Sequence, residues 1–465
     1  MKESICVVPF WSQAGAMNWD SNYAYLRKVL PVMADLNPET VWTMLWPQQL
    51  SGQSWKWQDD GLFDHPRIFR YPWSYPTGMR QGVMAFDPQR FKMLEKDVAP
   101  TMYWLHQVEM GIYLYGGYAQ TFGKFRPRLI AQHHYIIHPS LPYPMDAMLN
   151  RQWMQIGGSI ASNKVVCNSH HTKTMMMEAF GELINKEQMD AIEAKTEVLP
   201  FGLTDKIPDT REHDKPVIIY NHRSENYKRP RLTAKCFDVL RNEGLDFEVW
   251  ATQYQDQKLS HIMPDKIVGH PEYARYLENI AVPAINTINS THETFCISIL
   301  DSMSVGHVIV APKGVTFVEL APEGYPYLFK NEAEQIEMMR EILSNWPQAY
   351  LEWSQPLKDR AVKVFGLKKY CEQYTDLLAS QSTQLIEQAP KAHTLKALNN
   401  VVQGLSRPTP VYDVAKAIRK TANLQHQSMP DARVVAEMAK RGVELEMRQD
   451  GNGTKLLLTP TLGVN

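Results

Sequence analysis

Short apolar runs alternate with longer amphipathic stretches along this chain of 465 residues, and this alternation most constrains the fold. Apolar runs typical of buried strands lie at residues 5–8, 41–45, 128–132 and 164–167. Residues 22–36 follow the first run with helical periodicity. Strands that alternate with helices favour a parallel sheet covered by helices. We therefore predict an α/β fold.

A second series of the same kind starts near residue 215. Its apolar runs lie at residues 216–220, 247–250, 266–268, 284–288 and 308–311. A helix is predicted over residues 230–243, and Gly244 is a typical helix-end residue. We predict two Rossmann-like domains, residues 1–203 and 204–380, the second including helices that cross back. Two such domains facing a cleft bind ligands at the carboxyl ends of their strands.

The last part of the chain is predicted to be a separate winged-helix-like unit, residues 395–465. Apolar residues at helical spacing occur over residues 411–418 and 434–439, and apolar and charged residues alternate over residues 443–448. Residues 450–453, Asp-Gly-Asn-Gly, are typical of a hairpin turn. Residues 391–465 hold 11 basic and 6 acidic side chains, a net +5 against −6 for residues 1–390. That asymmetry fits a module that meets a polyanion, or else a solvated tail.

Cysteine usage and hydropathy exclude two classes of protein. The 5 cysteines are odd in number and widely spaced without a CxxC, which indicates a reduced compartment rather than a disulfide framework. No apolar run approaches the roughly 18 residues of a membrane span. We expect no membrane partner and a cytoplasmic location, in the host cytoplasm if the source is viral. The sequence leaves the oligomeric state open.

The most informative segment covers residues 289–306, NSTHETFCISILDSMSVG. A strand is predicted to run into a turn with His292 and Glu293, where a helix starts. Glu293 and Asp301 are eight positions apart, so they would share one side of that helix. The helix amino end favours an anion such as a diphosphate, and the two carboxylates suit the hydroxyls of a sugar and a ribose. The alternative is an amphipathic helix with two ordinary acids.

A second motif opens the second domain at residues 220–230, YNHRSENYKRP. A strand ends there and delivers Arg223 and Lys228 just before a helix. Two cations at such a loop can neutralise a diphosphate leaving group, whose negative charge grows in the transition state. The alternative is a solvated basic loop.

Together these motifs resemble retaining glycosyltransferases with the GT-B fold, in particular family 4. The family pattern is Glu, seven residues, Glu, and this chain has Asp301 in the second place, shorter by one methylene. The likeness covers about residues 160–335 and is closest to the queuosine-tRNA mannosyltransferases. It implies an Arg and a Lys that hold the diphosphate, here Arg223 and Lys228. It also implies donor contacts by His292, Glu293, Thr294, Phe295 and Asp301.

The first domain offers fewer signals. Gly15 follows the first strand, where a small residue lets a backbone approach the donor, although a plain turn explains it equally. In family 4 enzymes a histidine of the first domain lies near the transferred sugar, and the resemblance implies His133, His134 or His138 without choosing among them. A metal site is the rival, but no carboxylate accompanies these histidines at ligand spacing. We predict no metal, since no DxD motif is evident.

These observations predict a retaining glycosyltransferase that uses a nucleotide-sugar, with UDP-sugars favoured over GDP-sugars. The expected acceptor is a hydroxymethylated base in double-stranded DNA, as in bacteriophage DNA glycosyltransferases. The predicted nucleic-acid contacts of the C-terminal unit are Arg433, Lys440, Arg441, Arg448 and Lys455. Open alternatives are a tRNA base, a polysaccharide or small molecule, and an inactive transferase fold that binds nucleic acid.

Overall fold

The computed structural model describes residues 3–9, 21–48, 65–74, 86–122, 127–138, 145–202, 207–222, 226–252, 262–270, 272–382, 409–410, 413, 444–450 and 453–459. Five of the predicted site residues lie outside these ranges: Gly15, Arg223, Arg433, Lys440 and Arg441. The chain divides into two compact units. The first unit is Met1–Cys167, Met176–Glu197 and Cys371–Asn465, and the second unit is Asn168–Met175 and Val198–Tyr370.

The first unit contains a seven-stranded sheet of order β3-β2-β1-β4-β5-β6-β7. Its strands are β1 (Glu3–Val8), β2 (Thr40–Gln48), β3 (Ile68–Ser74), β4 (Met102–Leu105), β5 (Arg128–His133), β6 (Lys164–Cys167) and β7 (Thr196–Val198). Its helices are α1 (Ser21–Leu36), α2 (Pro88–Asp97), α3 (Met110–Phe122), α4 (Met145–Ala161), α5 (His170–Gly181), which begins in the second unit, and α6 (Lys186–Glu193). In this sheet order, every neighbouring pair of strands from β3 through β2, β1, β4 and β5 to β6 is parallel. Every residue of β1, β4 and β5 is buried, as expected of central parallel strands with both faces covered.

The second unit contains a six-stranded parallel sheet of order β10-β9-β8-β11-β12-β13. Its strands are β8 (Val217–Tyr220), β9 (Glu248–Ala251), β10 (Lys266–Ile267), β11 (Ala284–Thr287), β12 (Val308–Pro312) and β13 (Leu328–Phe329). Its helices are α7 (Pro230–Asn242), α8 (Tyr273–Ile280), α9 (Ile297–Ser304), α10 (Phe317–Leu320), α11 (Glu332–Ser344), α12 (Gln348–Phe365) and α13 (Leu367–Ser382), whose later part belongs to the first unit. Both parallel sheets confirm the predicted α/β class.

The ends of α7 follow directly from the sequence. Pro230 occupies the first turn, where its missing N–H costs nothing, and Gly244 has a φ of +86°, a conformation that glycine adopts without a Cβ clash.

Residues 289–296 correct the prediction for the most informative segment. Helix α9 begins at Ile297, so Glu293 precedes the helix and does not share its side with Asp301. The backbone of this loop bonds to other segments: the Thr291 N–H donates to the Tyr227 carbonyl at 3.0 Å, and the Thr294 carbonyl accepts from side chains of residues 169 and 172. These long-range hydrogen bonds satisfy backbone groups of the loop that would otherwise bond within a helical turn.

Near the C-terminus, β14 (Thr409–Pro410), β15 (Glu444–Asp450) and β16 (Gly453–Thr459) form an antiparallel sheet of order β14-β16-β15. Asp450 pairs with Gly453, which confirms the predicted hairpin. Strand β16 lies near β3 and α2 of the first unit. The helices predicted over residues 411–418 and 434–439 lie outside the described residues apart from Asp413, and the proposed domain boundaries remain a prediction.

All five cysteines are buried, and within the described residues none of them forms a disulfide: Cys6, Cys167, Cys236, Cys296 and Cys371. Within the described ranges, no helix is long and apolar enough to span a bilayer.

Candidate functional site

The centre of the candidate site in the second unit is a buried ion pair between Lys228 and Glu293. Lys228 ends a short 3-10 turn, Asn226–Lys228, just before α7, and Glu293 lies in the loop before α9. The Lys228 Nζ donates a hydrogen bond to the Glu293 Oε1, and the two residues are 7% and 9% exposed. Burial alone would lower the pKa of Lys228, but the Glu293 carboxylate outweighs it and raises that pKa above its usual range. The lysine therefore carries its charge.

Residues 168–172 hold the Glu293 loop in place. The Ser169 hydroxyl donates to the Thr294 carbonyl at 2.6 Å, and the Thr172 hydroxyl reaches the same carbonyl at 3.0 Å. Ser169 also accepts the Thr172 N–H at 2.9 Å, so it caps α5 as well. Ser169 therefore both caps α5 and contacts the loop that carries Glu293.

Glu319 fixes the same segment from the other side. Its two carboxylate oxygens accept the backbone N–H groups of His170 and His171, at 2.8 Å and 2.6 Å. A carboxylate at a helix amino end satisfies donors that have no partner within the helix. The start of α5 is therefore anchored in the second unit, which keeps Ser169 and Thr172 against Thr294.

The other predicted donor residues of this loop have different environments. The His292 Nδ1 lies 2.7 Å from the Thr291 hydroxyl. The ring of Phe295 packs edge-on against Phe201 and Phe365, with centroids 5.2 Å and 5.9 Å away. This ring belongs to an aromatic cluster, so a donor contact by Phe295 would come from its backbone.

Asp301 lies in α9 and is 5% exposed. The Tyr273 hydroxyl of α8 donates to the Asp301 Oδ1. Burial first, and then the negative charge of Asp301, raise the pKa of Tyr273 well above 10. The phenol is therefore an O–H donor to the carboxylate at any physiological pH. Sequence reasoning selected Asp301 and missed this tyrosine, whose signal is its place at the start of a short amphipathic helix.

A buried polar network under the loop was also missed. The His222 Nδ1 lies 2.7 Å from the Ser298 hydroxyl, and its Nε2 lies 3.3 Å from the Asn286 Oδ1. Burial, and then the charge of Lys228, hold the pKa of His222 well below 6.5. We therefore assign a neutral ring whose Nε2–H donates to Asn286 and whose Nδ1 accepts from Ser298. This network ties β8, β11 and α9 together under the Lys228–Glu293 pair.

In the first unit the three predicted histidines lie in three different environments. His133 is fully buried, with its Nε2 2.9 Å from the Ser159 hydroxyl of α4, and burial lowers its pKa to about 4. The His138 Nε2 lies 4.0 Å from the Glu178 carboxylate.

His134 forms a pair with His106, a residue that the sequence analysis missed. The His134 Nε2 lies 2.6 Å from the His106 Nδ1 and 3.0 Å from the Asn22 Nδ2, and the two rings stack at 4.9 Å. Burial, and then His133, lower the pKa of His134 to about 3. His106 directly follows β4, a strand missing from the prediction, so the apolar run over residues 102–105 was the available signal.

The predicted nucleic-acid residues are only partly described. Arg448 of β15 is directly opposite Lys455 of β16 in the strand register.

Among the described residues, no group of three histidine, cysteine, aspartate or glutamate side chains is arranged to hold a metal ion.

The architecture was compared with solved structures, and several glycosyltransferases have a similar fold. Sucrose-phosphate synthase from Thermosynechococcus elongatus matches with a TM-score of 0.63 and 12% identity, over 82% of this chain and 100% of that chain. A glycosyltransferase from Rickettsia africae matches with a TM-score of 0.55 and 12% identity, over 83% and 100%. The chain has the GT-B fold.

A third GT-B protein, the lipopolysaccharide outer core galactosyltransferase WaaB in its apo form, matches with a TM-score of 0.52 and 10% identity, over 81% of this chain and 99% of that chain. No protein-family model matches this GT-B chain, and no curated protein matches its sequence. At such identities the likeness concerns the fold alone. The expected nearness to queuosine-tRNA mannosyltransferases or to bacteriophage DNA glycosyltransferases stays a prediction.

Proposed function

We propose that this GT-B chain is a retaining glycosyltransferase that moves a sugar from a nucleotide-sugar to a hydroxyl group. The observation that carries the proposal is the buried Lys228–Glu293 pair. Its two members lie in the segments that follow β8 and β11, which are neighbours in the parallel sheet. The carboxyl ends of such strands are where doubly wound sheets bind ligands.

The chemistry proposed for this pair follows from its atoms. A lysine ammonium has three N–H donors, so Lys228 can keep Glu293 and also bind a phosphate oxygen. Its positive charge stabilises the diphosphate as the sugar departs, with Arg223 as the proposed second cation. We assign Glu293 to the transferred sugar, where its carboxylate stabilises positive charge that develops on the ring. Departure and attack on the same face then retain the configuration.

Asp301 is assigned to the ribose hydroxyls of the nucleotide, and a UDP-sugar is the preferred donor. Side chains rather than a metal ion neutralise the leaving group in this proposal. On the first unit, the histidine nearest the sugar is proposed to be one of His133, His134 and His138. The pairing of His134 with His106 at the carboxyl ends of β4 and β5 favours His134.

The proposed acceptor is the hydroxyl of a hydroxymethylated base in duplex DNA. Two features support it: the net +5 of residues 391–465, and the hairpin that sets Arg448 opposite Lys455. Cationic side chains on a hairpin suit contacts to phosphates. A base in a duplex must leave the stack to reach a catalytic site, so a separate DNA-binding unit has a clear purpose. A tRNA base is the second candidate, because the motif resemblance is to enzymes that glycosylate tRNA.

The experiment supplies the protein with UDP- and GDP-sugars and with either hydroxymethylcytosine duplex DNA or tRNA, followed by mass analysis of the released nucleosides. Unmodified duplex DNA, which lacks the hydroxyl, is the matched control. We expect one added sugar per modified hydroxymethylcytosine with a UDP-sugar, unchanged by chelation with EDTA, and none on the control.

The other outcomes separate the alternatives. Sugar on tRNA alone would replace the DNA acceptor and keep the glycosyltransferase. Donor hydrolysis without transfer to either nucleic acid would direct the search to a polysaccharide or small molecule. If the protein shows no donor hydrolysis and no transfer but binds DNA in a salt-dependent manner, the enzymatic proposal is contradicted. The chain would then be a nucleic-acid-binding protein.

A further inference from the structure

Two tyrosines of α8, Tyr273 and Tyr276, make hydrogen bonds through their hydroxyls, to Asp301 and to Asn221 respectively. The Tyr273 hydroxyl donates to the Asp301 Oδ1. The Tyr276 hydroxyl oxygen accepts from the Asn221 Nδ2 at 3.1 Å. Burial first, and then the nearby negative charge of Asp301, raise the pKa of Tyr276. The two rings pack with centroids 5.9 Å apart, against a core that includes Trp250 and Leu277. Both hydroxyls are therefore held in place by ring packing.

We propose that Tyr273, supported by Tyr276, is a positioning residue that fixes the Asp301 carboxylate for the two adjacent hydroxyls of a ribose, and thereby makes the site selective for ribonucleotides over deoxyribonucleotides. This inference rests on the proposed function. It concerns the nucleoside half of the donor, which the Lys228–Glu293 pair does not contact.

The physical argument starts from the freedom of a carboxylate. The terminal torsion of an aspartate is broad, so an unrestrained carboxylate turns among many orientations. A hydrogen bond to one oxygen fixes the plane of the group. A carboxylate has about four acceptor positions, enough for the tyrosine donors and the hydroxyls of one ribose together.

The burial of the tyrosines adds to this argument. Burial, and then the Asp301 charge, raise the pKa of both phenols well above 10, so neither loses its proton and both remain donors. Asp301 is also one methylene shorter than the glutamate of the family pattern. A short side chain reaches fewer positions, so its orientation matters more, and a fixed donor supplies that orientation.

The experiment is calorimetric titration of the full chain with UDP, 2′-deoxy-UDP and 3′-deoxy-UDP, repeated with the guanosine series if GDP binds more tightly. We expect the wild type to prefer UDP to both deoxy forms. Tyr273→Phe is expected to lower UDP affinity roughly tenfold, the loss of one hydrogen bond to a charged group, and to leave the deoxy affinities nearly unchanged. The preference for UDP is therefore expected to shrink by the same factor.

Tyr325→Phe is the matched control. The Tyr325 hydroxyl is also buried, and it bonds to the backbone N–H and carbonyl of Ile309 in β12, at 2.7 Å and 2.8 Å. Loss of that hydroxyl is expected to lower the melting temperature and to leave the preference for UDP over its deoxy forms at the wild-type value. A merely structural role for Tyr273 would give the same result as this control.

A double-variant cycle tests whether Tyr273 acts through Asp301. In an Asp301→Ala background, Tyr273→Phe is expected to change no affinity further. An additional loss of UDP affinity in that background would overturn the proposal, since Tyr273 would then contact the ribose itself. Equal losses for UDP and both deoxy forms in Tyr273→Phe would overturn it as well. A wild type that binds no nucleotide would contradict the proposed function, whereas tight binding with a preference independent of Tyr273 would contradict this inference alone.

Discussion

Two opposite charges lie out of water in the Lys228–Glu293 pair. Removing a charge from water costs several kcal/mol, and the mutual attraction compensates only while both partners are present. Glutamine fits the space of Glu293, but it would leave the Lys228 ammonium buried opposite a neutral amide. A single substitution here is therefore expected to alter both the proposed catalysis and the stability, and the two effects need separate measurements.

We expect Glu293→Gln to lower turnover roughly a hundredfold or more, in line with the loss of one preorganised electrostatic contact. The free energy of unfolding should fall by about 3 kcal/mol, because one buried charge loses its partner. Steady-state kinetics and urea unfolding measure the two effects.

The double variant Lys228→Met/Glu293→Gln is the control for folding. It removes both charges, so it should recover most of the lost stability and none of the activity. Wild-type turnover in the single variant would contradict the assignment of Glu293.

At the scale of elements, the ends of β4 and β5 hold three histidines with lowered pKa values: the buried His106 and His133, and the half-buried His134. Burial disfavours the charged form of each ring and lowers its pKa. Each folded-state pKa lies below the unfolded value of 6.5, so below that pH the unfolded chain takes up protons that the folded chain does not. Their contribution to stability is present above pH 6.5 and is lost as the pH falls toward the folded values.

His133 gives the cleanest test, since its pKa falls to about 4 and its ring bonds to Ser159. Between pH 7 and pH 5, protonation of this histidine in the unfolded state should lower the free energy of unfolding by about 2 kcal/mol. Glutamine does not titrate. The loss of unfolding free energy between pH 7 and pH 5 should therefore be about 2 kcal/mol smaller in His133→Gln than in the wild type.

Urea unfolding of both proteins at several pH values measures this difference. The comparison at pH 7 and above isolates the cost of the substitution itself, because there the histidine is neutral in both states. Equal losses between pH 7 and pH 5 in the two proteins would show that His133 does not titrate as its burial requires.

At the scale of the whole molecule, the C-terminal segment gives the most discriminating prediction. Helix α13 extends to Ser382, and its Tyr374 packs against Trp104 of the first unit at 4.7 Å, so a truncated chain has to keep this helix. A chain that ends just after residue 382 is expected to keep donor hydrolysis, because the Lys228–Glu293 pair and Asp301 precede that point. It should lose most affinity for long duplex DNA and most transfer to it.

The full-length double variant Arg448→Gln/Lys455→Gln is the matched control for the truncation. It removes two positive charges and keeps the C-terminal segment. Each lost phosphate contact lowers the slope of log affinity against log salt by about 1, so the salt dependence of DNA binding should weaken by up to 2. DNA binding across a salt series measures it. Full transfer to duplex DNA by the folded, truncated chain would show that the segment does not dock DNA.

The sequence by itself determined the architecture. Each of the nine runs predicted as strands in the two series forms a strand. Most of them are continuously apolar because they are parallel strands covered on both faces, whereas β10 is an edge strand whose two residues are exposed. Strands β3, β4, β7 and β13 were missed. Strand β3 mixes polar and aromatic residues, β7 and β13 are only three and two residues long, and the apolar run of β4 was overlooked. The hairpin at residues 444–459 was predictable from its turn residues, since the required backbone conformation favours Asn and Gly.

Only the tertiary structure decided how the site is built. Spacing placed Glu293 and Asp301 on one helix, whereas long-range bonds from Ser169 and Thr172 to Thr294 hold Glu293 in a loop. The contacts of Lys228 with Glu293, Tyr273 with Asp301, and His106 with His134 join residues 65, 28 and 28 positions apart. Local propensity sets strands and turns, but a pairing between distant residues depends on which strands become neighbours in the sheet, and no local pattern encodes that order.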